Sequence, residues 1–144
     1  MLEYHPVEEQ DLEYLLWLRK QTMDKHLVRA GIPTTTEEHL LRIRYQMDHA
    51  QIIWWHNKRI GLLKLVKDSH TWEIIQFQIA PDFQGQGIGQ QVLTSVLQEA
   101  KAKHISVKLS VLKQNPAQRL YQKMGFELTQ EDEQSYYYVF NSGR

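Results

Sequence analysis

The run Gln84-Gly85-Gln86-Gly87-Ile88-Gly89 is the part of this 144-residue chain whose residue types and spacing point most directly to chemistry. Binding a phosphate at a strand-to-helix turn requires backbone N–H groups that converge on one place, and glycine lets the chain curl close to the ligand because no Cβ intervenes. Gly85, Gly87 and Gly89 meet that requirement. Residues 74–79 ahead of them predict a strand and the residues after them a helix, whose first-turn N–H groups and positive dipole end can face a pyrophosphate. A structural reading stands beside this one: three glycines also make a tight turn and a close contact between helix and sheet. Other phosphate loops fit less well. A Walker-type loop ends in Gly-Lys-Ser or Gly-Lys-Thr, whereas Gln90-Gln91 follow here, and the dinucleotide fingerprint Gly-x-Gly-x-x-Gly has a different spacing.

The elements that must hold this turn can be read from periodicity and breakers. Residues 7–26 predict a helix, with Asp11 available as a cap and Leu12, Leu15, Leu16, Leu18 and Met23 at helical spacing. After Gly31 and Pro33, the stretch Thr34-Thr35-Thr36-Glu37-Glu38-His39 predicts a second helix with a threonine cap, ending near Ala50. Residues 51–55 and 60–66 predict a hairpin across His56-Asn57-Lys58-Arg59, and residues 72–80 a third strand. Ile88, Val92, Leu93, Val96, Leu97 and Ala100 then form one helical stripe, and residues 105–112 a further strand. Asn115-Pro116 opens a helix that Gly125 closes, and residues 126–140 supply two last strands. The order is ααβββαβαββ, an α/β (α+β) mixed sheet covered by helices, with no linker or repeat, so residues 1–144 are expected to form one domain.

Composition narrows the function classes. The 17 basic residues balance 17 acidic ones, so the overall attraction that drives non-specific binding to nucleic acid or anionic membranes is absent. No cysteine is present, which excludes disulfides and thiolate metal sites, and the seven histidines include no pair at metal-binding helical spacing. We expect no metal, no nucleic-acid partner and no membrane partner. The N-terminus has no basic segment followed by an apolar one, and a cytoplasmic protein is expected.

The run from Gln84 to Gly89 resembles the Gln/Arg-x-x-Gly-x-Gly/Ala signature of the GNAT acetyltransferase superfamily. The segment Asn115-Pro116-Ala117-Gln118-Arg119-Leu120-Tyr121-Gln122-Lys123-Met124-Gly125-Phe126 resembles that superfamily's Asn-x-x-Ala-x-x-x-Tyr-x-x-x-Gly-Phe block, at the expected distance downstream. Close resemblance covers residues 73–126. It implies the GNAT fold, with the strands of residues 72–80 and 105–112 splayed and the pantetheine arm of acetyl-CoA lying between them. The backbone around Phe77, Gln78 and Ile79 would then pair with pantetheine and the acetyl carbonyl. Gly85, Gln86, Gly87, Ile88, Gly89 and Gln90 would hold the pyrophosphate, with Gln84 in the same CoA-anchoring run, and Asn115, also a good helix cap, would contact the cofactor.

Aminolysis of a thioester needs a neutral amine, a group that polarises the carbonyl and a proton for the departing thiolate, with no covalent enzyme intermediate. The resemblance places Tyr121 near the CoA sulfur as the acid. The alternative is core, because Ala117, Leu120, Tyr121 and Met124 share one helix face. Glu73 matches the position of the glutamate base in histone-acetylating members, or else is an exposed strand-edge carboxylate. Ribosomal-protein N-terminal acetyltransferases carry a glutamate five residues before the motif asparagine; here that residue is Ser110. In this fold the two N-terminal helices form one wall of the acceptor site, where His26 or His39 is either a proton shuttle or a surface residue. Trp17, Arg19, Arg29, Arg42, Arg44, Tyr45, Trp54 and Trp55 either receive an anionic or aromatic acceptor or make core and solvated helix face. Tyr136, Tyr137 and Tyr138 cannot all face inward, and an outward one would serve an acceptor wall or a homodimer contact. The expected function is transfer of acetyl from acetyl-CoA to a primary amine in a ternary complex; the competing one is a non-catalytic acyl-CoA-binding module of the same fold.

Overall fold

The computed structural model describes residues 1–142. Its strands are β1 (Glu3–Pro6), β2 (Ala50–Trp55), β3 (Lys58–Lys67), β4 (Thr71–Ile79), β5 (Ser106–Leu112), β6 (Glu127–Glu131) and β7 (Ser135–Phe140). The helices are α1 (Leu12–Arg29), α2 (Thr36–Arg44), α3 (Ile88–Ala102) and α4 (Gln118–Lys123). The seven strands run in the mixed order β1-β2-β3-β4-β5-β7-β6, with β4 and β5 parallel. Packing divides the chain into two compact units that share β4: Met1–Leu65 with Gln76–Gln84, and Val66–Ile75 with the chain from Gly85 onward.

In the first unit, α1 and α2 lay an apolar face on β2 and β3. Leu15, Leu18, Ile43, Ile52 and Leu62 form the centre of that core. Each such side chain contributes about 1.5–3 kcal/mol on burial. The expected hairpin forms, and its turn is shorter than the polar tetrad suggested: His56 and Asn57 adopt φ of 50° and 62°, the left-handed pair that closes a two-residue loop, and Lys58 and Arg59 already lie in β3. Thr35 caps α2 as expected, its Oγ1 accepting from the Glu38 N–H at 3.2 Å.

Three local expectations change. The chain opens with β1, which pairs antiparallel with β2 over Glu3–Pro6, a polar and proline-ended segment that only its partner strand makes extended. Asp11 does not cap α1 in the ordinary way: its Oδ2 accepts from the Glu8 N–H at 2.9 Å and its Oδ1 from Arg59 Nε and Nη2 at 3.1 and 3.0 Å. Helix α2 stops at Arg44 rather than near Ala50, because the buried Lys64 ammonium of β3 takes the carbonyls of Arg42, Ile43 and Tyr45. Those are groups that a helix C-terminus leaves without partners.

Gly61 fixes the approach of β3 to the residues that follow it in this unit. A Cβ there would collide with the carbonyl oxygen of Gln78 and stand 3.1 Å from Ile79 Cδ1. Gly61→Ala is expected to cost about 1–3 kcal/mol through overpacking. A lower urea midpoint at constant slope would register it; an unchanged midpoint would mean the strands can give way.

In the second unit, α3 buries Ile88, Val92, Leu93, Val96, Leu97 and Ala100, the stripe read from the sequence. Strand β5 alternates buried Val107, Leu109 and Val111 with exposed Lys108 and Ser110, and pairs antiparallel with β7 from Val107 to Leu112. The parallel ladder with β4 joins Thr71, Trp72, Glu73 and Ile74 to Ser106, Val107, Lys108 and Leu109. Among the described residues no helix is long and apolar enough to cross a membrane.

Candidate functional site

The glycine run forms the turn into α3. Gly85 and Gly87 have φ of +76° and +79°, a left-handed conformation that glycine adopts without a steric penalty. Gly87 is the N-cap of α3 and offers no side chain to the helix end, and the first turn contains no acidic residue. The first helical hydrogen bond runs from the Gln91 N–H to the Gly87 carbonyl at 3.0 Å. The N–H groups of Ile88, Gly89 and Gln90 therefore have no acceptor within the helix and point out of its positive end. A Cβ on Gly85 or Gly87 would meet nothing within 4 Å. The glycines are needed for backbone direction, and the space beside them is open. Burial of Ile88, 6 % exposed, anchors the turn to the core.

Gln84 differs from its neighbours in the motif. Its Nε2 donates to the Ile79 carbonyl at 2.9 Å, so the side chain ties the turn back to the end of β4. Phe77 and Ile79 are half-buried on β4, and Gln78 between them is buried on the opposite strand face.

Asn115 and Tyr121 belong to one local structure. Asn115 Oδ1 accepts from the Ala117 N–H at 2.9 Å, and this turn precedes the helix, so α4 starts at Gln118, two residues later than the Asn-Pro pair suggested. Tyr121 is 6 % exposed and edge-on to Phe126, with ring centroids 5.7 Å apart. Burial pushes its phenol up to about 12. The hydroxyl thus stays protonated throughout the range in which an amine becomes neutral. Glu73 is half-buried on β4 opposite Lys108, on the face away from buried Trp72 and Ile74.

Tyr14, in the first unit, is likewise held at about 12 by burial, against a lowering by Arg59. For both phenols the folded value lies above the ordinary 10 of the unfolded chain. The folded protein then holds more protons between pH 10 and 12, so this stability is complete below pH 10 and is lost as pH rises through 12. The urea midpoint should fall over that interval, and Tyr121→Phe and Tyr14→Phe should each flatten the fall. Equal slopes in wild type and both variants would contradict the burial of these hydroxyls.

The first unit also contains a polar cluster that the periodic patterns did not single out. Arg19 Nε donates to His39 Nδ1 at 3.0 Å, and His39 Nε2 lies 2.6 Å from Asp24 Oδ1. A guanidinium always donates, so Nδ1 accepts and the ring proton sits on Nε2, shared with Asp24. His39, 1 % exposed, has both nitrogens engaged and neither left to shuttle a proton. His26 Nδ1 is buried without a partner, and burial together with Arg29 and Lys25 keeps its pKa below the ordinary imidazole value. Lys64 and Asp24 are the members of the cluster that sequence reasoning passed over. A lone charge inside the apolar run Ile60-Gly61-Leu62-Leu63-Lys64-Leu65-Val66 was the available signal.

Residues 21–139 match the acetyltransferase (GNAT) domain family. The chain belongs to that family, whose members are acyltransferases. No curated protein matches it. Among solved structures it is similar to an acetyltransferase from Thermus thermophilus, at 19% identity and a TM-score of 0.77 over 98% of this chain and 97% of that one. It is also similar to PaiA N-acetyltransferase from Thermoplasma acidophilum in complex with coenzyme A, at 19% identity and TM-score 0.73 over 98% and 99% of the two chains. A third similar structure is the ribosomal-protein-S18-alanine N-acetyltransferase from Escherichia coli, at 15% identity and TM-score 0.73 over 100% and 96%. At these identities the likeness concerns the fold.

Proposed function

We propose that this chain, acting as one domain, is an N-acetyltransferase that moves the acetyl group of acetyl-CoA to a primary amine by direct attack in a ternary complex. The observation that carries this reading is the start of α3: a glycine N-cap in the left-handed region, three first-turn N–H groups without helical acceptors, and no acidic side chain. That arrangement suits a pyrophosphate. Gly85, Gln86, Gly87, Ile88, Gly89 and Gln90 would receive it, with Gln84 supporting the turn. The coenzyme A in the Thermoplasma acidophilum structure supports an acyl-CoA donor.

In the reaction the amine nitrogen bonds to the thioester carbonyl carbon, the carbon–sulfur bond breaks, and CoA leaves as a thiol. Backbone groups of Phe77, Gln78 and Ile79 polarise the carbonyl. The amine loses a proton to Glu73, directly or through water, and the departing sulfur receives one from Tyr121. Asn115 Nδ2 is a donor left for the cofactor, since its Oδ1 is engaged with Ala117.

Thiol release from acetyl-CoA and longer acyl-CoAs, measured against a panel of amines, tests the proposal. The chain has no cysteine, so a thiol reagent sees only liberated CoA. Amine-dependent release supports the enzyme; CoA binding without release from any pairing supports the binding module instead.

A further inference from the structure

Arg19 is a buried cation whose immediate partner is neutral. It projects from the middle of α1 and is 8 % exposed, with His39 of α2 on its Nε. The Asp24 carboxylate lies on the far side of that imidazole. Among the described residues, no hydrogen bond engages the two Nη nitrogens. Lys64, 1 % exposed, adds a second buried cation, and it donates to backbone carbonyls rather than to a carboxylate. Burial and the charge of Arg42 bring Arg19 down to about 10, and burial and the charge of Arg19 bring Lys64 down to about 8. Arg19 thus feels the charge of Arg42 and acts in turn on Lys64, while the carboxylate of Asp24 offsets part of its cost. Burying charge without a counter-charge is costly, and a guanidinium cannot escape by losing its proton near neutral pH.

An acceptor amine that carries a carboxylate would supply what is missing. With Nε occupied, Arg19 still offers its two Nη nitrogens, the end-on edge that grips both oxygens of a carboxylate. An unfilled acceptor belongs to the same cluster: Gln76 Nε2 donates to the Arg42 carbonyl at 3.1 Å, the oxygen that also accepts from Lys64, while Gln76 Oε1 is buried with no partner. That oxygen suits an N–H of the acceptor. We propose that the acceptor is an amino acid or related amine bearing a carboxylate, recognised through the Nη edge of Arg19 where α1, α2 and β3 meet. The inference rests on the acetyltransferase reading above and deepens it.

The test is thiol release from acetyl-CoA with each proteinogenic amino acid, β-alanine and γ-aminobutyrate, each paired with its carboxamide and with the amine lacking the carboxyl group. The best acid should exceed its amide about 10–100-fold in kcat/KM, the worth of a hydrogen-bonded charge. Arg19→Gln should remove most of that ratio by raising KM for the acid far more than for its amide, with Arg19→Lys intermediate. Arg42→Gln, at an exposed position where folding is not at risk, should lower the ratio about 2–5-fold through the weaker field. Equal use of acid, amide and amine, or an equal loss for all three in Arg19→Gln, would overturn the carboxylate assignment and leave the enzyme reading intact. If Arg19→Gln does not fold, the wild-type ratio and Arg42→Gln decide. Binding of CoA with no release from any amine would overturn both.

Discussion

Tyr121→Phe is expected to lower kcat for acetyl transfer about 10²–10⁴-fold, the usual contribution of a positioned acid, with the dissociation constant of CoA within about twofold of wild type. The substitution removes one oxygen and keeps the ring. Contact with Phe126 and the burial of the side chain are retained, so α4 and the turn at Asn115 keep their support. A phenol near 12 keeps its proton as the pH rises through the range in which the attacking amine becomes neutral, and the thiolate is the group that needs that proton. Steady-state rates and a calorimetric titration with CoA separate the two quantities. Were Tyr121 only core, kcat would be unchanged and only stability would move.

Gly87→Val is expected to weaken CoA binding about 10–100-fold, equivalent to one charge-assisted hydrogen bond. Valine is a steric outlier at φ near +79°, and relieving it rotates the peptide that directs the first N–H groups of α3. Crowding is not the cause, since a Cβ there meets nothing within 4 Å. Gly87→Asn is the control, because asparagine tolerates the left-handed region. It should stay within about threefold of wild type. Equal affinities for the valine and asparagine variants and the wild type would show that the anion is held elsewhere.

What could be read from the sequence follows from how local each cause is. The stripe on α3, the strand at β5 and the glycine turn are set by spacing within a few residues, and all three stand in the structure as read. Two motifs in order also gave the family. Strand β1 was not legible, because Glu3-Tyr4-His5-Pro6 has no apolar alternation and becomes extended only by pairing with β2. The end of α2 was misplaced for a similar reason: its carbonyls find their partner in Lys64, about twenty residues away. The start of α4 moved by two residues because the Asn115 side chain bonds the Ala117 N–H and makes a separate turn. The Arg19–His39–Asp24 chain joins side chains 15 and 20 residues apart, beyond the reach of any period.

The most direct test of the central claim is to follow acetyl-CoA labelled with ¹³C at the acetyl carbonyl by NMR in the presence of the best amine from the panel. An amide carbonyl signal should grow in step with free CoA thiol, at a rate proportional to enzyme and depressed in Tyr121→Phe. Release of thiol with only acetate formed, or an intact thioester while CoA is bound, would contradict it.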